Sequence, residues 1–89
     1  SKTNKEISCT MLKEVLPELE KISDWTKDNI YNAMVSLAQK LEVKNATLMW
    51  PVRIAVSGMA VTPGGAVEIC LILGKDETIR RIETAIKKL

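Results

Sequence analysis

The residue best equipped for specific recognition is Arg53, set in the apolar run RIAVSGMAV and followed nine residues later by the turn Thr62-Pro63-Gly64-Gly65. A guanidinium offers several donors in a fixed fork and a planar face, so it suits a base edge, a phosphate or a carboxylate. Two readings follow from these residue types. In the plain one, Arg53 snorkels to solvent or pairs with a nearby acid. The turn is then a connector in which proline fixes one dihedral and glycine supplies positive φ. In the sharper one, the turn opens a helix whose exposed amides, together with the Thr62 hydroxyl, admit a flat base or a phosphate. Taken singly, the residues favour the plain reading.

Other chemistry has few candidates. The chain contains no histidine, which removes the commonest general base and metal ligand. Cys9 and Cys70 lie in separate segments with no Cys-x-x-Cys pair, so zinc-finger ligation is excluded and buried thiols in a reducing compartment are expected. TPGGAVE lacks the lysine of a phosphate-binding loop, and Glu14, Glu18 and Glu20 read as the solvated side of a helix. Trp25 and Trp50 read as core or rim packing. The net charge of +2 neither announces nor forbids a nucleic-acid partner. No stretch approaches the length of an apolar membrane span, and the start of the chain carries no signal-peptide pattern. It also lacks an initiator methionine, which leads us to expect a piece of a larger chain.

The elements that would position Arg53 follow from periodicity. Apolar residues make up 46% of 89 positions, enough for the core of one small domain. Ile7, Met11, Val15 and Leu19 recur with helical spacing, interrupted at Pro17, which predicts a kinked helix or two short ones. Thr26 is suited to cap a second helix, with Asp28 in its first turn and Ile30, Met34, Leu37 and Leu41 along its buried stripe. Lys44-Asn45 then reads as a turn. Residues 48–56 and the run AVEICLIL are each compatible with a buried strand or a buried helix, leaving all-α and α+β both open. Pro51 suits only a first helical turn or a sheet edge. Gly58 and Gly74 follow those runs, where helices often close on a left-handed residue. The last segment is helical, with Ile79, Ile82, Ile86 and Leu89 inward, acids at its start and lysines at its end.

Order and spacing along residues 48–86 add what the single residues lack. LMWPVRIAVSGMAVTPGGAVEICLILGKDETIRRIETAI runs through Pro51, Arg53, Ala55, Ser57-Gly58, Thr62-Pro63, Glu68-Ile69, Leu73-Gly74-Lys75-Asp76-Glu77 and Arg80-Arg81. This succession resembles the C-terminal end of bacterial-type glutamyl-tRNA synthetases. The upstream DWTKDNIYNAMVSLAQKLEVK resembles the helix that precedes it there, so the resemblance covers most of the chain from Asp24 onward.

The resemblance implies an all-α fold: a compact multihelical anticodon-binding subdomain of about five helices, from a class I aminoacyl-tRNA synthetase. Residues 1–89 would form this single domain, and both ambiguous runs would be helices. It also implies anticodon contacts at Arg53, Thr62 and Pro63. The position two after that proline often carries a larger apolar residue that packs on a base; here it is Gly65, which can contribute only its amide. The implied partner is the anticodon loop of the tRNA for glutamate, with no DNA or membrane partner, in a cytoplasmic monomer. No cofactor is expected on this stretch. ATP and Mg2+ are implied for the catalytic domain of the parent ligase, which would join glutamate to its tRNA. A helical protein-docking module without RNA contact is the competing expectation, resting on the apolar surface and the modest charge.

Overall fold

A computed structural model describes residues 5–58 and 65–89. Five helices carry these residues: α1 (Lys5–Glu20), α2 (Lys27–Leu41), α3 (Asn45–Ser57), α4 (Ala66–Leu73) and α5 (Lys75–Lys88). No strand occurs among the described residues, so the chain is all-α and both ambiguous runs are helical. No helix among these residues is long and apolar enough to cross a membrane.

The helices assemble around one aliphatic core. Val15 and Leu19 of α1, Ile30 and Met34 of α2, Leu48, Val52 and Val56 of α3, Cys70 of α4 and Ile82 of α5 are all fully buried there. Helix α3 is central, packing on α1, α2, α4 and α5. Each fully buried aliphatic side chain contributes about 1.5–3 kcal/mol relative to exposure, and the sum opposes the entropy of ordering a short chain. Burial also pushes the Cys70 thiol up to about 12, so it stays protonated.

Local rules explain the boundaries. The Thr26 hydroxyl accepts a bond from the Asn29 amide at 3.2 Å, satisfying one orphan donor at the start of α2. Helix α2 ends on Glu42 at φ 58°, ψ 42°, with the Val43 amide donating back to the Ala38 carbonyl at 3.0 Å. The reversal is therefore made at Glu42, and Asn45 already belongs to α3 rather than to the expected turn. Helix α1 is one element, with Pro17 in its last turn, where a missing donor interrupts little helix beyond it. Pro51 departs further from expectation because it sits in the middle of α3. There its ring is buried in the domain, and that packing offsets the backbone bond it cannot make. In α5, Ile82 is buried as expected and Thr78 joins it, while Leu89 stays 42% exposed.

Gly74 forms the junction between α4 and α5 at φ 86°, ψ 165°. Its amide donates to the Cys70 carbonyl at 3.0 Å, and the Thr78 hydroxyl and the Trp25 indole reach the same oxygen at 3.2 and 3.0 Å. Lys75, the next residue, donates its ammonium to the Glu20 and Ile22 carbonyls at 2.8 and 2.5 Å. A cation there complements the negative end of α1.

Candidate nucleic-acid interface

Arg53 lies on the central helix, one residue beyond buried Val52, and is half-buried at the edge of the core-facing side. Three residues earlier on the same helix, Trp50 offers its ring. The Arg53 guanidinium carbon stands 4.8 Å from that ring's centroid. Residues three apart are neighbours on a helix surface, so the pair follows from α3 being helical through Pro51. A cation over an indole face gains about 0.5–1 kcal/mol when exposed and more when desolvated. Its structural effect is to fix the plane of a flexible side chain. Trp50, expected from its residue type to be a packing residue, thus also lies under Arg53, and the Trp-x-x-Arg spacing is the signal for it.

The last turn of α3, which follows Arg53, is held at three carbonyls, those of Arg53, Ile54 and Val56. The Ser57 hydroxyl donates to the Arg53 carbonyl at 2.5 Å, and the Gly58 amide donates to Ile54 at 2.7 Å with Gly58 at φ 75°. From α5, Arg81 donates through Nη1 to the Val56 carbonyl at 2.6 Å. A helix C-terminus leaves such carbonyls without intrahelical partners, and a guanidinium also complements its dipole.

Arg81 is itself oriented. Its Nε donates to Glu77 Oε2 at 2.7 Å, while Arg80 makes two bonds to the same carboxylate at 2.8 and 2.6 Å. These two guanidiniums hold the Glu77 carboxyl down at about 2, well below the usual carboxylate range. The spacing Glu77-x-x-Arg80-Arg81 made the intrahelical pairs legible in sequence. The reach of Arg81 to α3 was not, because it depends on how the two helices pack.

Gly65 caps the start of α4 in extended backbone. Its amide donates to Glu68 Oε1 at 3.1 Å, and Glu68 Oε2 lies 3.7 Å from the Lys27 ammonium. Glycine supplies no side-chain acceptor in return, so this is half of a capping box. The amide that the sequence offered for contact is therefore already bonded to a carboxylate. A Cβ placed on Gly65 would come within 2.9 Å of Glu68 Oε1, so a side chain there would move that carboxylate. Arg53 and Gly65 sit on adjacent packed helices, whereas Thr62 and Pro63 lie outside the described residues. Among the described residues, no group of three or more acidic or cysteine side chains converges to hold a metal ion.

Residues 1–86 match the family model described as an anticodon binding domain. Over 88 residues the chain is 53% identical to the glutamate–tRNA ligase of Clostridium acetobutylicum and 51% identical to that of Clostridium kluyveri. The corresponding ligase of Clostridium tetani is 49% identical. In each case the match covers 99% of this chain but 18% of the relative. A family-model match over nearly the whole chain, on a five-helix fold, makes this chain a member of the anticodon-binding domain family.

Proposed function

We propose that this chain reads the anticodon loop of the tRNA for glutamate, as one domain of a cytoplasmic, monomeric glutamate–tRNA ligase. The observation that carries the reading is the Arg53 guanidinium set over the Trp50 ring, 4.8 Å from its centroid. Anticodon bases are single-stranded, so they can be splayed and read by hydrogen bonds and stacking. A guanidinium whose plane is already fixed loses less entropy when it forks onto a base edge. Thr62 would add a hydroxyl and Pro63 an apolar ring, as the resemblance implies. Gly65 contributes less, since a base approaching its amide must displace Glu68. ATP and Mg2+ would serve the remaining polypeptide. The present chain has no phosphate-loop lysine to hold a nucleotide, and we assign none of its residues to the joining of glutamate to tRNA.

The test is an NMR titration of the 89-residue chain with a stem-loop bearing the glutamate anticodon and with one altered at a single anticodon base. Arg53→Ala is expected to weaken cognate binding by about 1–3 kcal/mol, roughly 5- to 150-fold, and to reduce discrimination. Equal binding of both RNAs by the native chain, or unaltered binding by the variant, would sink the proposal. A protein-docking role draws on one observation, an apolar groove of about 480 Å3 between α1, α3 and α5, floored by Leu12, Pro51, Ile54 and Ala55. Anticodon-dependent binding that weakens with salt favours RNA over that reading.

A further inference from the structure

We infer that Arg81, oriented by Glu77, is a positioning residue for anticodon discrimination, acting on Arg53 through the last turn of α3. The inference rests on the function proposed above. Val56, whose carbonyl receives the Arg81 guanidinium, lies three residues after Arg53 and so one helical turn along the same face. Arg81 thereby ties the turn that carries Arg53 to a different helix. Trp50 fixes the Arg53 guanidinium relative to α3, and Arg81 fixes that end of α3 relative to the rest of the domain.

Three observations separate this from ordinary packing. The bond spans 25 positions of sequence at 2.6 Å, whereas among the described residues Arg80, the neighbouring arginine, pairs within its own helix. Arg81 is held in place by a second bond, to Glu77, so its fork is aimed before any ligand arrives. The carbonyl it receives belongs to the last four of α3, which a helix leaves without intrahelical donors, so the guanidinium supplies a bond that α3 itself does not. A reading group must be held to a fraction of an ångström for a hydrogen-bonded edge to be distinguished from its neighbour. Loss of the anchor is therefore expected to blunt discrimination more than it weakens RNA attraction.

Arg81→Gln, Glu77→Gln and the control Arg80→Gln test this in the 89-residue chain, below the unfolding temperature of each variant. Affinity for the cognate stem-loop and for the single-base variant is measured across a salt series. Arg81→Gln is expected to lower the cognate-to-altered affinity ratio about three- to tenfold, with a salt slope close to that of the native chain. Arg80→Gln, which removes the same charge from a side chain whose hydrogen bonds among the described residues go to Glu77 and not to α3, should keep the native ratio. Glu77→Gln keeps the Arg81 charge but releases its holder, so it should lower the ratio less; it also serves if Arg81→Gln does not fold.

A native ratio in Arg81→Gln, or in Glu77→Gln where the first variant is unfolded, overturns the inference. So does a fall in salt slope by about one with the ratio intact, because that marks Arg81 as a phosphate contact. Equal losses of ratio in the two arginine variants overturn it as well. If the native chain shows no anticodon preference, or Arg53→Ala changes nothing, the functional proposal itself fails. Arg53-dependent discrimination that survives Arg81→Gln refutes this inference alone.

Discussion

Gly74→Ala isolates the contribution of a single backbone conformation. Gly74 sits at φ 86°, ψ 165°, a region essentially confined to glycine, and a Cβ built there meets nothing within 4 Å. The substitution therefore creates no clash, and its effect comes from the dihedrals. Holding a non-glycine residue in such a region costs roughly 1–3 kcal/mol. Alanine also restricts the unfolded chain, which returns about 0.4–1 kcal/mol. The expected net loss is about 1–2 kcal/mol, or roughly 5–15 °C in Tm for a domain of this size. Gly58→Ala is the internal control, because its added Cβ also meets open space while φ 75°, ψ 8° lies near the ordinary left-handed region. There the penalty of about 1–2 kcal/mol is largely offset by the same unfolded-state gain, leaving a net loss near 0–1 kcal/mol. Thermal and urea unfolding followed by far-UV circular dichroism would rank the two. A Gly74→Ala protein as stable as the native chain, or more stable than Gly58→Ala, would refute the reasoning.

Two further outcomes follow from the same kind of accounting. Glu42 is an exposed non-glycine residue at φ 58°, so Glu42→Gly should raise stability by up to about 1 kcal/mol while keeping the bonds that close α2; a loss in urea unfolding would contradict it. Glu77 has its carboxyl lowered from 4.5 to about 2, so the folded state binds fewer protons than the unfolded chain. The stability this contributes is present above pH 4.5 and drains away as pH falls towards 2. The Tm difference between the native chain and Glu77→Gln should therefore shrink over that window, and a difference independent of pH would count against the paired carboxylate.

Local pattern reached the elements whose signals are local. Thr26 before a periodic apolar stripe fixed the start of α2, because a hydroxyl and an orphan amide three residues apart need no tertiary context. The acids and lysines of α5 marked its ends for the same reason. Pattern left Pro17 open between one helix and two, failed at Pro51, where tertiary packing overrides propensity, and could not decide AVEICLIL, whose unbroken apolar run has no face to read. There, the family resemblance along residues 48–86 implies helix where periodicity cannot. The site divides in the same way. Arg53 was legible as a type, and Gly65 as a turn residue. That Trp50 would lie under the guanidinium depended on α3 remaining helical through Pro51. That Glu68 would occupy the Gly65 amide depended on that glycine capping a helix rather than starting a strand.

The carbonyl of Cys70 has a bearing on how the domain opens. It receives the Trp25 indole, the Gly74 amide and the Thr78 hydroxyl, and Lys75 beside it closes the end of α1. Residues from the first connection of the chain and from its final helix thus share acceptors within a few residues of one another. Peeling α5 away removes the Thr78 bond from that carbonyl, releases Lys75 from the end of α1 and exposes buried Ile82 at the same moment, so the first half of the helix does not open as a free terminus would. The α1–α2 connection and α5 belong to one cooperative unit although they lie at opposite ends of the sequence. The Trp25 indole, bonded at that junction, is its built-in optical reporter, separate from the Trp50 ring that attends Arg53.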